Sequence, residues 1–274
     1  MKKRKSILAL ILTSSLLAPT IALASCKNAS QDMPSEEIVS PPADTEEIPP
    51  TDTEENENVS TPIVQSAQYI RCTGSGVNLR SGAGSSYSVI GSAQKGEIYA
   101  VVQKTGAWYK TYYRGKEVYL SADYAVLLSL DKGDKQVEEV LDEGYKLIGV
   151  PYVYGAVRFH DGKGNLLGGF NAQKFDCSSL VQYVFYKGAN KVLDVTTRTQ
   201  VKQGKYVPRN ELQRGDCIYF TNESRQHLTG TERVGHVAIY LGDNYILHTA
   251  SDYARIEKIT TARWSFYIEA RRFI

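Results

Sequence analysis

Phe175-Asp176-Cys177-Ser178-Ser179-Leu180, followed by Val234-Gly235-His236-Val237 and then His248, puts a thiol and two imidazoles into one chain. Behind Cys177 the apolar residues Leu180, Val181, Val184 and Phe185 recur at helical spacing, and Asp176 is a good N-cap, so the sulfur should sit at a helix N-terminus. Unsatisfied N–H groups and the positive end of the dipole favour thiolate there, which predicts a cysteine pKa below the free value of roughly 8.5. A thiolate that attacks an amide also needs a proton for the departing nitrogen, and an imidazole supplies it. His236 stands at the mouth of a strand-like run, Val237 to Leu241. A third group should hold that ring in one tautomer, and His248 lies on the next strand-like segment, Tyr245 to Thr249. Gly242-Asp243-Asn244 reads as the turn joining the two segments in a hairpin, with the histidines on neighbouring strands and contact depending on register.

Other uses of these residues are weaker. A zinc site from Cys177, Cys217, His236 and His248 has no Cys-x-x-Cys or His-x-x-x-His pair, so neither metal nor cofactor is expected. Cys217 follows Gly215-Asp216 in an apolar run and reads as a core strand residue, while His160 and His227 read as loop residues.

Ordered motifs from Gln136 to Ile274 carry a resemblance: Ile148 to Gly155, the Asp-Cys-Ser block, Thr197-Arg198-Thr199, Arg214-Gly215-Asp216, Gly235-His236-Val237 and Ile246-Leu247-His248. Together they resemble the NlpC family of papain-like cell-wall cysteine peptidases. The resemblance implies an α+β catalytic domain over 136–274, an antiparallel sheet packed on helices. It makes Cys177 the nucleophile, His236 the base, His248 the orienting residue and Tyr154 an aromatic wall beside the cysteine. Tyr152, Asp176 and Ser178 are substrate-binding candidates by position. Family members often have Trp where Tyr154 stands and Gly where Ala156 and Ser179 stand. The implied activity is cleavage of peptidoglycan stem peptides at the γ-D-glutamyl-diamino acid bond. An N-acetylmuramoyl-L-alanine amidase of the same fold and a non-catalytic wall-binding lipoprotein are the alternatives.

Tyr69 to about Leu128 shows short strand-like runs, at Val77 to Arg80, Glu97 to Gln103, Trp108 to Tyr113 and Glu117 to Leu120, between Gly-rich turns. This predicts a small all-β barrel over 67–129. Val77-Asn78-Leu79-Arg80-Ser81-Gly82, Trp108-Tyr109 and Tyr119 to Tyr124 resemble the bacterial SH3-like domain found beside cell-wall hydrolases. Such a domain either binds wall or walls the cleft. Between Gly155 and Phe175 lies a segment with glycines at 155, 162, 164, 168 and 169, read as a loop bordering the cleft or as a passive insertion. Gln136 to Ile148 reads as a helix through Val137, Val140, Leu141 and Tyr145.

The N-terminal residues concern delivery. Met1 to Cys26 has a basic start and an apolar stretch, the shape of an export signal, and Leu23-Ala24-Ser25-Cys26 resembles a lipobox with lipidation at Cys26. Cleavage after Ala22-Leu23-Ala24, with Cys26 unmodified, is the rival. Residues 27–66 are rich in Pro, Glu, Asp, Thr and Ser and read as a disordered acidic tether. Leader and tether hold five of the chain's 32 bases and ten of its 30 acids, leaving 27 bases against 20 acids from Ile63 onward, a net +7. The expected partners are therefore peptidoglycan or muropeptides, anionic wall polymers and a membrane reached by the lipid anchor. Export excludes nucleic acid, a monomer is expected, and Cys72 and Cys217 should be free thiols.

Overall fold

The computed structural model describes residues 66–274. The leader, Cys26 and the tether lie outside the described residues except for Ser66, which composition assigned to the tether and which instead opens the first strand. Eight strands come first: β1 (Ser66–Cys72), β2 (Val77–Arg80), β3 (Val89–Ala93), β4 (Ile98–Ala100), β5 (Gln103–Thr105), β6 (Trp108–Tyr113), β7 (Lys116–Ser121) and β8 (Ala125–Asp131). β2 and β6 have the expected bounds. The single run expected from Glu97 to Gln103 is two strands, because the chain changes sheets at Val101 and Val102. One antiparallel sheet has the order β3-β2-β7-β6-β5.

The rest begins with three helices and continues mostly as strands: α1 (Lys135–Tyr145), α2 (Cys177–Ala189), α3 (Thr197–Gln200), β9 (Lys205–Val207), β10 (Cys217–Phe220), β11 (His236–Gly242), β12 (Tyr245–Ala250), β13 (Tyr253–Lys258), α4 (Thr261–Ser265) and β14 (Tyr267–Arg272). The second sheet runs β8-β1-β4-β13-β12-β11-β10-β14-β9, so three N-terminal strands continue the C-terminal sheet, joined by the pair Ile98–Ile256. This is an α+β fold with a β-rich N-terminal region. Val237, Ile239 and Leu241 on one face of β11 and the apolar stripe Leu180, Val181, Val184 and Phe185 of α2 form one core with Val140 and Leu141 of α1. The two helices approach closely at Gly188, where a Cβ would lie 2.4 Å from Val140 Cα.

α1 stops at Tyr145, short of the expected Ile148, and the chain turns through Gly149 at φ +83°. The β6–β7 turn docks on that stretch: Arg114 N–H donates to Ile148 O at 2.7 Å and Gly115 N–H to Lys146 O at 2.8 Å. The Tyr113 ring lies where a Gly149 side chain would begin, 2.3 Å from its ideal Cβ. Deeper in the junction, buried Arg214 donates to Glu138 at 2.6 and 3.0 Å, to the hydroxyls of Tyr69 and Tyr145 at 2.8 and 2.9 Å, and to Leu241 O at 2.9 Å. Cys72 and Cys217 are buried and form no disulfide among the described residues.

Candidate active site

Asp176 starts α2 with a capping box, its carboxylate accepting from Ser179 N–H at 2.9 Å while Ser179 Oγ accepts from Asp176 N–H at 2.9 Å. Ser179 thus closes the cap. The helix start is fixed, and with it the sulfur of Cys177, which is 8% exposed and lies near the backbone N–H groups of Val237 and Ser178. Val237 follows His236 on β11, so the sulfur meets the strand at the histidine.

The hairpin closes through Asp243 and Asn244, at φ 46° and 63°, both in the left-handed region that a two-residue primed turn demands. Ile239 pairs with Leu247 across the hairpin, which sets His236 and His248 diagonally on one face. His236 Nε2 and His248 Nδ1 are 2.8 Å apart. On the next strand, where His248 pairs with Arg255, Glu257 is again the diagonal neighbour and its Oε1 lies 3.1 Å from His248 Nε2. Arg263 of α4 reaches the same oxygen at 2.8 Å. Sequence reading finds both histidines and misses Glu257 and Arg263. The signal was the two-residue parity from His248 across a second hairpin, which requires that hairpin's register.

The electrostatics depart from the helix-start expectation. Burial pushes the Cys177 thiol up to about 12, aided by the Asp176 carboxylate, and this outweighs the two N–H groups and Arg158 that favour thiolate. Burial also holds His236 well below 6.5, with His248 and Arg263 adding to the effect. Burial lowers His248 as well, against the opposing pull of Glu257. For Glu257 burial works against ionisation, but His248, Arg263 and Arg255 together hold its carboxyl at about 2. The thiol and imidazole therefore rest neutral, with a fixed carboxylate behind them.

A cleft of about 450 Å³ opens over Cys177. Tyr152, Tyr154, Asp176 and Ser178 all line it. Tyr152 is half-buried, its hydroxyl pushed up to about 12 by burial and by Cys177 and Asp176 nearby, whereas Tyr154 stands at the rim, 82% exposed. Asp176 Oδ2 is taken by Arg158 Nη1 at 2.8 Å, and Ser178 Oγ donates to Asp176 Oδ1 at 3.1 Å. Arg158 comes from the glycine-bearing loop, which otherwise folds onto α2 through Phe159 and Phe170 against Tyr183. Arg198 and Arg225 complete a basic wall that sequence reading did not assign. The cleft lining runs from Tyr152 to Gly235 and takes no residue from the N-terminal β-rich region.

A cysteine at a helix start, set against a histidine strand of an antiparallel sheet, defines the papain-like α+β class. Residues 149–272 match the model of the NlpC/P60 family, and residues 75–125 ahead of them match that of a bacterial SH3 domain. The peptidoglycan endopeptidase RipA of Mycolicibacterium smegmatis is 28% identical over 138 residues, 50% of this chain and 26% of that protein. The gamma-D-glutamyl-L-lysine dipeptidyl-peptidase of Bacillus subtilis is 26% identical over 163 residues, 60% of this chain and 48% of that protein. The chain thus spans between about a quarter and a half of these curated relatives' length. A crystal structure of an NlpC/P60 family protein from Bacillus cereus is 19% identical, covering 76% of this chain and 63% of that one at a TM-score of 0.40.

Proposed function

We infer that the chain is a cysteine peptidase that cleaves peptidoglycan stem peptides between γ-D-glutamate and the diamino acid. The observation that carries this reading is Cys177 at the start of α2, lining a cleft that Gly235 also lines one residue before His236, whose ring is paired with His248 at 2.8 Å. The names of the two relatives support the substrate class, and that of the dipeptidyl-peptidase supports the bond. As sulfur attacks the amide carbon, its proton passes to His236 and the carbonyl electron pair moves onto oxygen, where N–H groups at the start of α2 receive it. His236 then protonates the departing amine, the C–N bond breaks, and a thioester remains. Water attacks the thioester while His236 takes its proton, and the acid leaves as the thiol re-forms. His248 fixes the His236 ring, and Glu257 favours the imidazolium that forms in each step.

Defined muropeptides digested with wild type and with Cys177→Ala, the products weighed by mass spectrometry, test this. A new amine on the diamino acid is expected from wild type alone. Release of the sugar from an intact stem would reassign the protein as an amidase, and products from the alanine variant would remove Cys177 from the mechanism.

We further place the enzyme outside the membrane, anchored by lipid on Cys26 with the acidic segment as spacer, where the net +7 of the remainder draws it to anionic wall polymer. The mass of the N-terminal peptide from membranes decides the anchor: a diacylglyceryl-cysteine start is expected, and an unmodified Ser25 start removes it. Sedimentation with purified wall should weaken as salt rises.

A further inference from the structure

Three arginines line the cleft, Arg158, Arg198 and Arg225, against one acid, Asp176. Arg158 is fully engaged, donating to Val195 O at 2.7 Å, Ala156 O at 2.6 Å and Ser178 Oγ at 3.3 Å besides its ion pair with Asp176. The other two are not. Arg225 Nη1 is anchored on Glu232 O at 2.7 Å and otherwise only approaches Glu232 Oε2 at 3.5 Å. Arg198 Nε meets Glu232 Oε1 at 3.5 Å and makes no shorter polar contact among the described residues. The Glu232 side chain is 64% exposed, and an exposed ion pair at that distance contributes little, so another carboxylate displaces it cheaply. The planar forks of two guanidinium groups, already converged on a carboxylate, are matched to such a ligand.

We propose that Arg198 and Arg225 together receive a carboxylate of the stem peptide, with the Glu232 carboxylate standing in for it, so that the cleft selects acid over amidated stems. The inference rests on the peptide-cleaving reading above and names a specificity within it. Two carboxylates have this chemistry, the α-carboxylate of γ-D-glutamate and the side-chain carboxylate of diaminopimelic acid.

The test is calorimetric binding to the full chain carrying Cys177→Ala, using C-terminally amidated tripeptides. One pair is L-Ala-γ-D-Glu-L-Lys against its D-isoglutamine counterpart. The other is the diaminopimelic peptide against its side-chain amide. One acid should bind about tenfold or more tightly than its amide, since a lost charge-assisted contact leaves the guanidinium pair unmatched. The pair that shows the gap identifies the carboxylate. Arg198→Gln and Arg225→Gln, each checked for an unchanged melt, should close the gap, and Glu232→Gln should tighten the acid a few-fold, roughly the worth of an exposed ion pair. Equal affinity within both pairs, a gap that survives both arginine changes, or no binding at all overturns the proposal. Wild-type turnover of the same peptides is scored separately: no cleavage despite a carboxylate gap refutes the peptidase reading and leaves the arginine site standing.

Discussion

The junction network around Arg214 and the histidine line beside Cys177 are both buried, both built on the large sheet, and opposite in electrostatic design. Arg214 is charged, with its neighbours closed around it: a carboxylate, two tyrosine hydroxyls and a carbonyl take its donors. Burial opposes its charge, yet Glu138 and the tyrosines raise its pKa. Cys177 and His236 are driven toward neutrality instead, with the Glu257–Arg263 pair behind the second histidine and the Asp176–Arg158 pair beside the thiol. A structural network fixes a charge; a catalytic one leaves a proton free to move. The first should fail in stability when broken, and the second in rate.

Cys177→Ala is the largest expected effect. Turnover of a defined muropeptide should fall by roughly a thousandfold or more, with an unchanged melting curve, because a small buried thiol becomes a small buried methyl. The neutral resting pair adds a corollary: iodoacetamide should label Cys177 of the free enzyme slowly at neutral pH, and faster as pH rises. Rapid labelling at neutral pH would mean that the ion pair exists before substrate arrives.

Arg214→Met tests the other network. It leaves Glu138 charged in a largely buried site, a loss of about 3–5 kcal/mol read from urea unfolding, with turnover per folded molecule unchanged. Adding Glu138→Leu should recover much of the loss. A rate change in the folded Arg214 variant would erase the distinction between the two networks.

Glu257→Gln should act chiefly on rate. The carboxylate touches His248 and not His236, so removing its charge should lower kcat by roughly 10- to 100-fold, less than loss of a directly bound carboxylate in a triad. Without that charge His236 protonates less readily, and the acid limb of the pH–rate profile should move to lower pH. Glu257→Asp should restore part of both. A lower rate with an unmoved acid limb would make Glu257 a packing residue only.

Why Glu257 needed coordinates while Cys177 did not is a matter of range. Cys177 is marked locally, by the N-cap Asp176 and the stripe behind it, and the capping box forms from those residues. His236 and His248 are separated by a short hairpin whose turn residues can be named from sequence, leaving only the register open. Glu257 and Arg263 depend on a further register and a helix start, and Arg198 and Arg225 converge only because a 3-10 turn, Gly230–Arg233, carries Glu232 between them. Of the N-terminal strands β2, β6 and β7 were legible, but β1, β3 and β8 were not, nor was the region's share in the larger sheet. The Ile98–Ile256 pair joins residues far apart in sequence, and no local pattern announces it. The lowered thiol pKa followed from the dipole alone; burial, which the sequence does not show, reverses it.

The smallest expected effect separates the networks by pH. Burial holds His236 well below and His248 below 6.5, so as pH falls through 6.5 the unfolded chain binds protons that the folded chain refuses, and stability declines. Glu257 acts in the same direction at lower pH: its folded value is about 2 against 4.5 unperturbed, so its contribution is whole above 4.5 and lost as pH falls toward 2. Urea midpoints should be level above about pH 7 and then fall, each histidine accounting for at most about 1.4 kcal/mol per pH unit. His236→Gln and His248→Gln should each flatten that decline, whereas Arg214→Met should lower the curve without changing its slope there. A wild-type midpoint that stays level to about pH 5 would show that both imidazoles accept protons in place, and the neutral resting pair would be lost with it.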